Sequence, residues 1–255
     1  MRRPREAGRL RAIVPQRRGH GWWPYLTPLL SFLALLELGR RVGPTLGPAF
    51  SVASVLVPLA ILLYHAARNG YPELRQPPRG GALGLAGDVG VGLFGAALWI
   101  APYLWFPALR PEPGGAFDAT KFGEQHVWFA LSLRAFGYAV VTPFVEEIFV
   151  RGWLARYADV FDRNEDFRDV PIGRYSLRSF ATVVLFFTAS HMTWEWPVAI
   201  AWIVLTQLWF YQRKNLLSLV LVHAVSNLAI FAFVLLANGK LFDAGGEPID
   251  LWFFL

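Results

Sequence analysis

Residues 141–153 read VTPFVEEIFVRGW. Two carboxylates and a guanidinium sit there inside a run otherwise apolar enough for lipid. A central Asp, Arg or Lys costs roughly 2.5–3.5 kcal/mol on membrane-insertion scales, so such residues mark a functional hypothesis by default. The pattern is Glu146-Glu147-x-x-x-Arg151. Two further apolar runs carry polar groups in spaced pairs: one ends in Phe187-x-x-x-His191, and a later one holds His223-x-x-x-Asn227.

The surrounding chain gives these runs their setting. It has 255 residues, 55% of them hydrophobic and only 16% charged, with a mean hydropathy of +0.39. That composition belongs to an integral membrane protein rather than to two soluble domains. The expected fold class is all-α, a polytopic transmembrane helical bundle of about seven to eight spans. Apolar runs lie near 22–38, 46–67, 83–109, 127–155, 176–191, 196–211 and 216–237. A span needs about 20 apolar residues, so the fifth and sixth runs are short unless the 194–196 connection extends them. The expected organisation is a basic cytoplasmic arm over 1–20, N-terminal transmembrane helices over 21–126, a catalytic helical core over 127–237 and a tail over 238–255. No small-x-small cleavage site follows the first run, which is therefore read as a retained helix.

Charge supports this topology. With the N-terminus on the cytoplasmic side and seven spans, the cytoplasmic segments hold 17 of the 24 Lys and Arg and the outer segments hold five. That asymmetry follows the positive-inside rule. The Arg40-Arg41 pair is the misfit. No basic–aromatic platform accompanies the arginines, so nucleic acid is not an expected partner. The chain has no cysteine, which excludes disulfides, thiolate catalysis and Cys-based zinc sites.

Helix geometry sorts the polar residues. Adjacent residues point about 100° apart, so Glu146 and Glu147 cannot share a face. Glu147 and Arg151 are four apart and can neutralise each other. Glu146 is left without a local partner. A carboxylate unpaired in a low-dielectric site holds its proton more tightly, which suits a general acid or base. Glu146 is thus the expected catalytic residue, with Glu147 and Arg151 in support. Phe187, one turn before His191, is expected to wall a pocket. His223 and Asn227 face one way and offer donors suited to an oxyanion hole. The competing reading makes all of these interhelical hydrogen bonds or a buried ion cluster. His20, His65 and His126 read as interfacial, Gln207 as structural, and Arg134 as a side chain able to snorkel outward. Neither G-x-S-x-G nor H-E-x-x-H is present.

The three motifs, in this order on successive apolar runs, resemble the CPBP family of CAAX prenyl endopeptidases and bacteriocin-processing or immunity proteins. The resemblance covers roughly residues 127–235. It implies a helical intramembrane endopeptidase in which Glu146 and His191 activate water, His223 and Asn227 stabilise the oxyanion, and Glu147 and Arg151 hold the site. It also implies a metal-independent glutamate mechanism and hence no cofactor. The alternative is zinc on Glu146, His191 and His223, a two-His, one-Glu set that can bind that metal. Length, arginine-rich arm and tryptophan content look similar to a bacterial branch found with exosortase sorting systems. The expected partners are the lipid bilayer and a peptide or protein substrate, and the expected location is the bacterial inner membrane. The non-enzymatic alternative is a membrane scaffold or immunity-type binder. A transporter is disfavoured, since no duplicated half or pair of broken helices is evident.

Overall fold

The computed structural model describes residues 20–43, 45–111, 116–243 and 245–255. The basic arm expected over 1–20 lies outside them except for His20. Seven main helices follow one another: α1 (Trp23–Arg41), α2 (Gly47–Ala67), α3 (Gly81–Trp105), α4 (Glu124–Tyr157), α5 (Leu177–Ala189), α6 (Trp196–Arg213) and α7 (Leu216–Ala237). By length and composition α2, α3, α4 and α7 can each cross a membrane. The protein is an all-α membrane bundle.

Local chemistry sets the helix ends. Ser176 caps α5 and Asn215 caps α7, each side-chain oxygen accepting from the backbone N–H three residues on at 3.0 Å. Prolines occupy the first turns of α1, α2 and α6, where a missing N–H costs nothing. The expected extension of the fifth run through 194–196 does not occur. α5 stops at Ala189, a 3₁₀ turn covers Thr193–Glu195, and α6 begins at Trp196 with a proline next to it. The Arg40-Arg41 misfit has a local explanation: Arg41 donates to Glu37 one turn back at 2.5 and 2.8 Å, an exposed i,i+4 pair.

Small residues and buried ion pairs draw the helices together. Gly92 and Gly95 bring α3 against α7; a Cβ at Gly92 would stand 2.8 Å from the Val222 carbonyl oxygen. Ser226 donates across that seam to the Gly92 carbonyl at 2.7 Å. Such small-residue seams are how helices approach closely in lipid. Asp88 on α3 is fully buried and accepts from Arg213 Nε at 2.8 Å, Arg213 Nη2 at 2.9 Å and Trp209 Nε1 at 2.8 Å on α6. At the far end of α4, Arg156 pairs with Glu73, whose carboxylate also accepts from Tyr25 of α1 at 2.8 and 3.0 Å.

α4 is the irregular member. Two π-helical stretches, Gly137–Val141 and Ile148–Leu154, bracket the α-helical Thr142–Glu147. Pro143 lies just after the first. Widened turns of this kind recur at functional sites. The apolar core, including Val145, Ile148, Val183, Ile203 and Ile230, closes around this part of α4.

Candidate active site

The first π stretch has a direct consequence for the site. Thr142 N–H bonds to the Gly137 carbonyl, five residues back, instead of to Tyr138. The next N–H in a π pattern would come from residue 143, which is proline. The Tyr138 carbonyl is therefore released from the helix ladder. It accepts instead from Asn227 Nδ2 of α7 at 2.7 Å. A buried carbonyl must find a donor, and here the donor is the side chain that the sequence singled out.

One turn further, the two glutamates part. Glu147 is completely buried, whereas the Glu146 side chain keeps 23% of its exposure. Glu147 Oε1 accepts from Arg151 Nη1 at 2.8 Å and from His223 Nδ1 at 3.0 Å. Arg151 Nη2 in turn donates to Thr206 Oγ1 of α6 at 2.8 Å. Glu147 is thus shared between Arg151, the partner its spacing predicts, and the site histidine His223. Glu146 faces an open cavity, with Oε2 4.0 Å from His223 Nε2.

His191 is not on a helix. It lies two residues beyond the end of α5, in the turn, so the shared helix face with Phe187 is replaced by a turn contact. Its Nδ1 is 2.7 Å from the Phe187 carbonyl oxygen and its ring 4.4 Å from the Phe187 ring. Phe187 stacks on Trp202 at 5.1 Å, and Trp202 meets the His223 ring edge-on at 4.8 Å. Both histidines are thus held by Nδ1. A carbonyl and a carboxylate can only accept, which assigns the proton to Nδ1 in each ring and leaves Nε2 free.

Glu146, Phe187, His191, His223 and Asn227 line one cavity of about 170 Å³, together with Trp99, Arg134, Tyr138, Thr142, Glu195 and Trp202. A groove of about 540 Å³ between α1 and α5 also reaches Glu146 and His191. Glu147 and Arg151 stand behind the cavity. The sequence reading passed over Glu195, Trp202 and Tyr138; an acid in the short turn between the second and third polar segments was the available signal for Glu195. Its carboxylate is raised above the ordinary range by burial, opposed by the Met192 N–H and by His191. Arg134 does not snorkel outward but turns into the cavity wall.

Among the described residues no three of His, Cys, Asp and Glu come together as a metal-binding group. Held at Nδ1, each ring leaves Nε2 open, the way a metal-ligating histidine is also held; Glu146, His191 and His223 do not form such a group as they stand. Residues 128–229 match a family model described as type II CAAX prenyl endopeptidase, Rce1-like. Neither the curated proteins nor the solved structures yield a match.

Proposed function

We propose, from the match of residues 128–229 to the Rce1-like model of type II CAAX prenyl endopeptidases, that this membrane protein hydrolyses a peptide bond of a membrane-associated protein or peptide with water activated by Glu146 and His191. The family consists of CAAX-type intramembrane endopeptidases. The observation that carries the finer reading is the convergence of Glu146, His191, His223 and Asn227 on one cavity from three separate segments.

The residues divide the work by what holds them. Glu146, exposed to the cavity, takes a proton from water as the water oxygen attacks the scissile carbonyl carbon. His191, held at Nδ1 by the Phe187 carbonyl, accepts a hydrogen bond at Nε2 from the same water. His223 is held at Nδ1 by the Glu147 carboxylate; with a second proton on Nε2 it donates to the developing oxyanion. Asn227 uses one N–H to hold the Tyr138 carbonyl and offers the other to the oxyanion. When the tetrahedral intermediate collapses, the C–N bond breaks and the proton held by Glu146 passes to the leaving amine. No step runs through a metal.

A non-catalytic scaffold would account for the Glu147–Arg151–Thr206 chain, which ties α4 to α6. It gives no reason for Glu146 to face a cavity beside two histidines with free Nε2 atoms. We propose that the N-terminus lies on the cytoplasmic side, on the distribution of arginines along the sequence. The test is proteomics of membranes from cells carrying the wild type or Glu146→Ala. Fragments present with the wild type and absent with the variant, at equal protein levels, support the proposal. Identical fragment sets with an inserted variant overturn it.

A further inference from the structure

Two of the five cations that the seven-span topology assigns to its outer side meet in space. Arg40, at the end of α1, and Lys121, in the loop before α4, both line a pocket of about 260 Å³ whose remaining wall is the first part of α2. No Asp or Glu is among the lining residues. The Arg40-Arg41 pair, the misfit of the charge distribution, divides here. Arg41 holds the Glu37 carboxylate at 2.5 and 2.8 Å, whereas Arg40 comes only within 3.9 Å of it, outside hydrogen-bond distance.

Lys121 is likewise without a close acid. Its Nζ lies 5.2 Å from the centre of the Phe117 ring and 5.7 Å from that of Phe122. Asp118 turns its Oδ1 back on Thr120, accepting from the backbone N–H at 2.8 Å and from Oγ1 at 2.7 Å. Partial burial first, and then Arg134, hold the Lys121 ammonium below its ordinary range, against the pull of Asp118. Arg134, also in the lining, is engaged through Nη2 with the Leu255 carbonyl oxygen. Among the described residues neither Arg40 nor Lys121 donates a side-chain hydrogen bond, so these two are the donors the pocket offers.

The rest of the pocket is apolar, with Phe32 and Leu36 of α1 facing Phe50 and Val55 of α2. The hydroxyls of Ser51 and Ser54 are spent on carbonyls of α2 itself, at 3.1 and 2.9 Å. The level in the membrane is marked by Trp105 at the end of α3 and Trp128 at the start of α4, both exposed; exposed tryptophans of this kind sit at the head groups. Phe122, next to Lys121, meets the Phe129 ring at 5.2 Å and so holds Lys121 at that level. Cations at the head-group level above an apolar slot between helices are the means by which membrane proteins take acidic lipids.

We propose that this pocket binds one anionic glycerophospholipid, its phosphate between Arg40 and Lys121 and an acyl chain along Phe32, Leu36 and Phe50. A choline head group would bring its own ammonium beside two cations, whereas phosphatidylglycerol carries the phosphate without one. Phe32, Leu36 and Arg40 also line the groove that reaches Glu146, so the lipid forms part of that groove's wall. The assignment is independent of the chemistry that Glu146 performs.

Native mass spectrometry of the whole protein, stripped of lipid in detergent, counts bound lipids directly. One phosphatidylglycerol per chain should be retained, with phosphatidylcholine binding at least about tenfold more weakly. Combining Arg40→Gln with Lys121→Gln should weaken phosphatidylglycerol about 10–30-fold, the scale expected for two cations at a membrane surface. Lys240→Gln, an exposed cation outside the pocket, should leave the affinity unchanged. Inorganic phosphate in excess should not displace the lipid, because it brings no chain to the apolar slot. If the double variant does not fold, each single change must lower the affinity by itself. Equal retention of phosphatidylcholine, wild-type affinity in the folded Gln variants, or displacement by inorganic phosphate overturns the proposal.

Discussion

Glu147 Oε1 accepts two hydrogen bonds at once, from His223 Nδ1 at 3.0 Å and from Arg151 Nη1 at 2.8 Å. A single carboxylate oxygen thereby couples the member of the site on α7 to the internal ion pair of α4. The two halves of this arrangement separate under mutation. Glu147→Gln keeps the shape and an acceptor but removes the negative charge that His223 Nδ1 faces. Turnover should fall about 10²-fold, on the scale of losing one oxyanion donor, with little change in folded yield. Arg151→Ala leaves a buried carboxylate uncompensated and should cost about 3–5 kcal/mol of stability. Thermal unfolding in detergent beside cleavage assays distinguishes the two.

Asn227 and Pro143 form a second testable unit. Asn227→Ala removes an oxyanion donor and should lower turnover about 10²–10³-fold. Pro143→Ala supplies an N–H that can reach the Tyr138 carbonyl in the π pattern and compete with Asn227. The expected result is a smaller loss of turnover than in Asn227→Ala, with no further loss when the two changes are combined. Additive losses in the double variant would contradict the shared role.

The ion pair between Asp88 and Arg213 lies away from the cavity and joins α3 to α6. Asp88→Ala strands a guanidinium and the Trp209 N–H, and should destabilise the fold by about 3–5 kcal/mol. The surviving folded protein should cleave at the wild-type rate per molecule. A lowered rate in folded material would show that this pair also shapes the site.

Glu195 gives a pH-dependent prediction. Its carboxylate is raised above the ordinary range, chiefly by burial. A raised carboxyl contributes stability that is fully present below its unfolded pKa and is lost as pH rises through the folded one. Wild-type stability should therefore decline over the interval just above the usual glutamate range, and Glu195→Gln should flatten that decline. Parallel stability–pH curves for the two proteins would contradict this placement of the charge.

What could be read from the sequence was local. The i,i+4 spacing of Glu147 and Arg151 becomes a hydrogen bond, and that of His223 and Asn227 puts both on the cavity, because spacing within a regular turn fixes relative direction. The helix succession was equally legible, since apolar runs bounded by Pro, Gly, Ser176 and Asn215 encode their own ends. The inward turn of Arg134 was not. The π stretch Gly137–Val141 shifts the register between Arg134 and Glu146, so a uniform 100° per residue misplaces one relative to the other. The bond between Glu147 and His223 crosses 76 positions, and no local pattern reports such a meeting. His191 was assigned to a helix that ends two residues before it, at Ala189, where the apolar run gives way to Ser190.

The most direct test of the central claim follows water itself. Purified wild type and Glu146→Gln are incubated with a detergent extract of source membranes in ¹⁸O-water, and the peptides are analysed by mass spectrometry for newly labelled carboxyl groups. The proposed mechanism predicts labelled carboxyls at discrete sites with the wild type and at least about 10²-fold fewer with the variant. Equal labelling by both proteins, with the variant folded, would contradict the assignment of Glu146 as the residue that activates water.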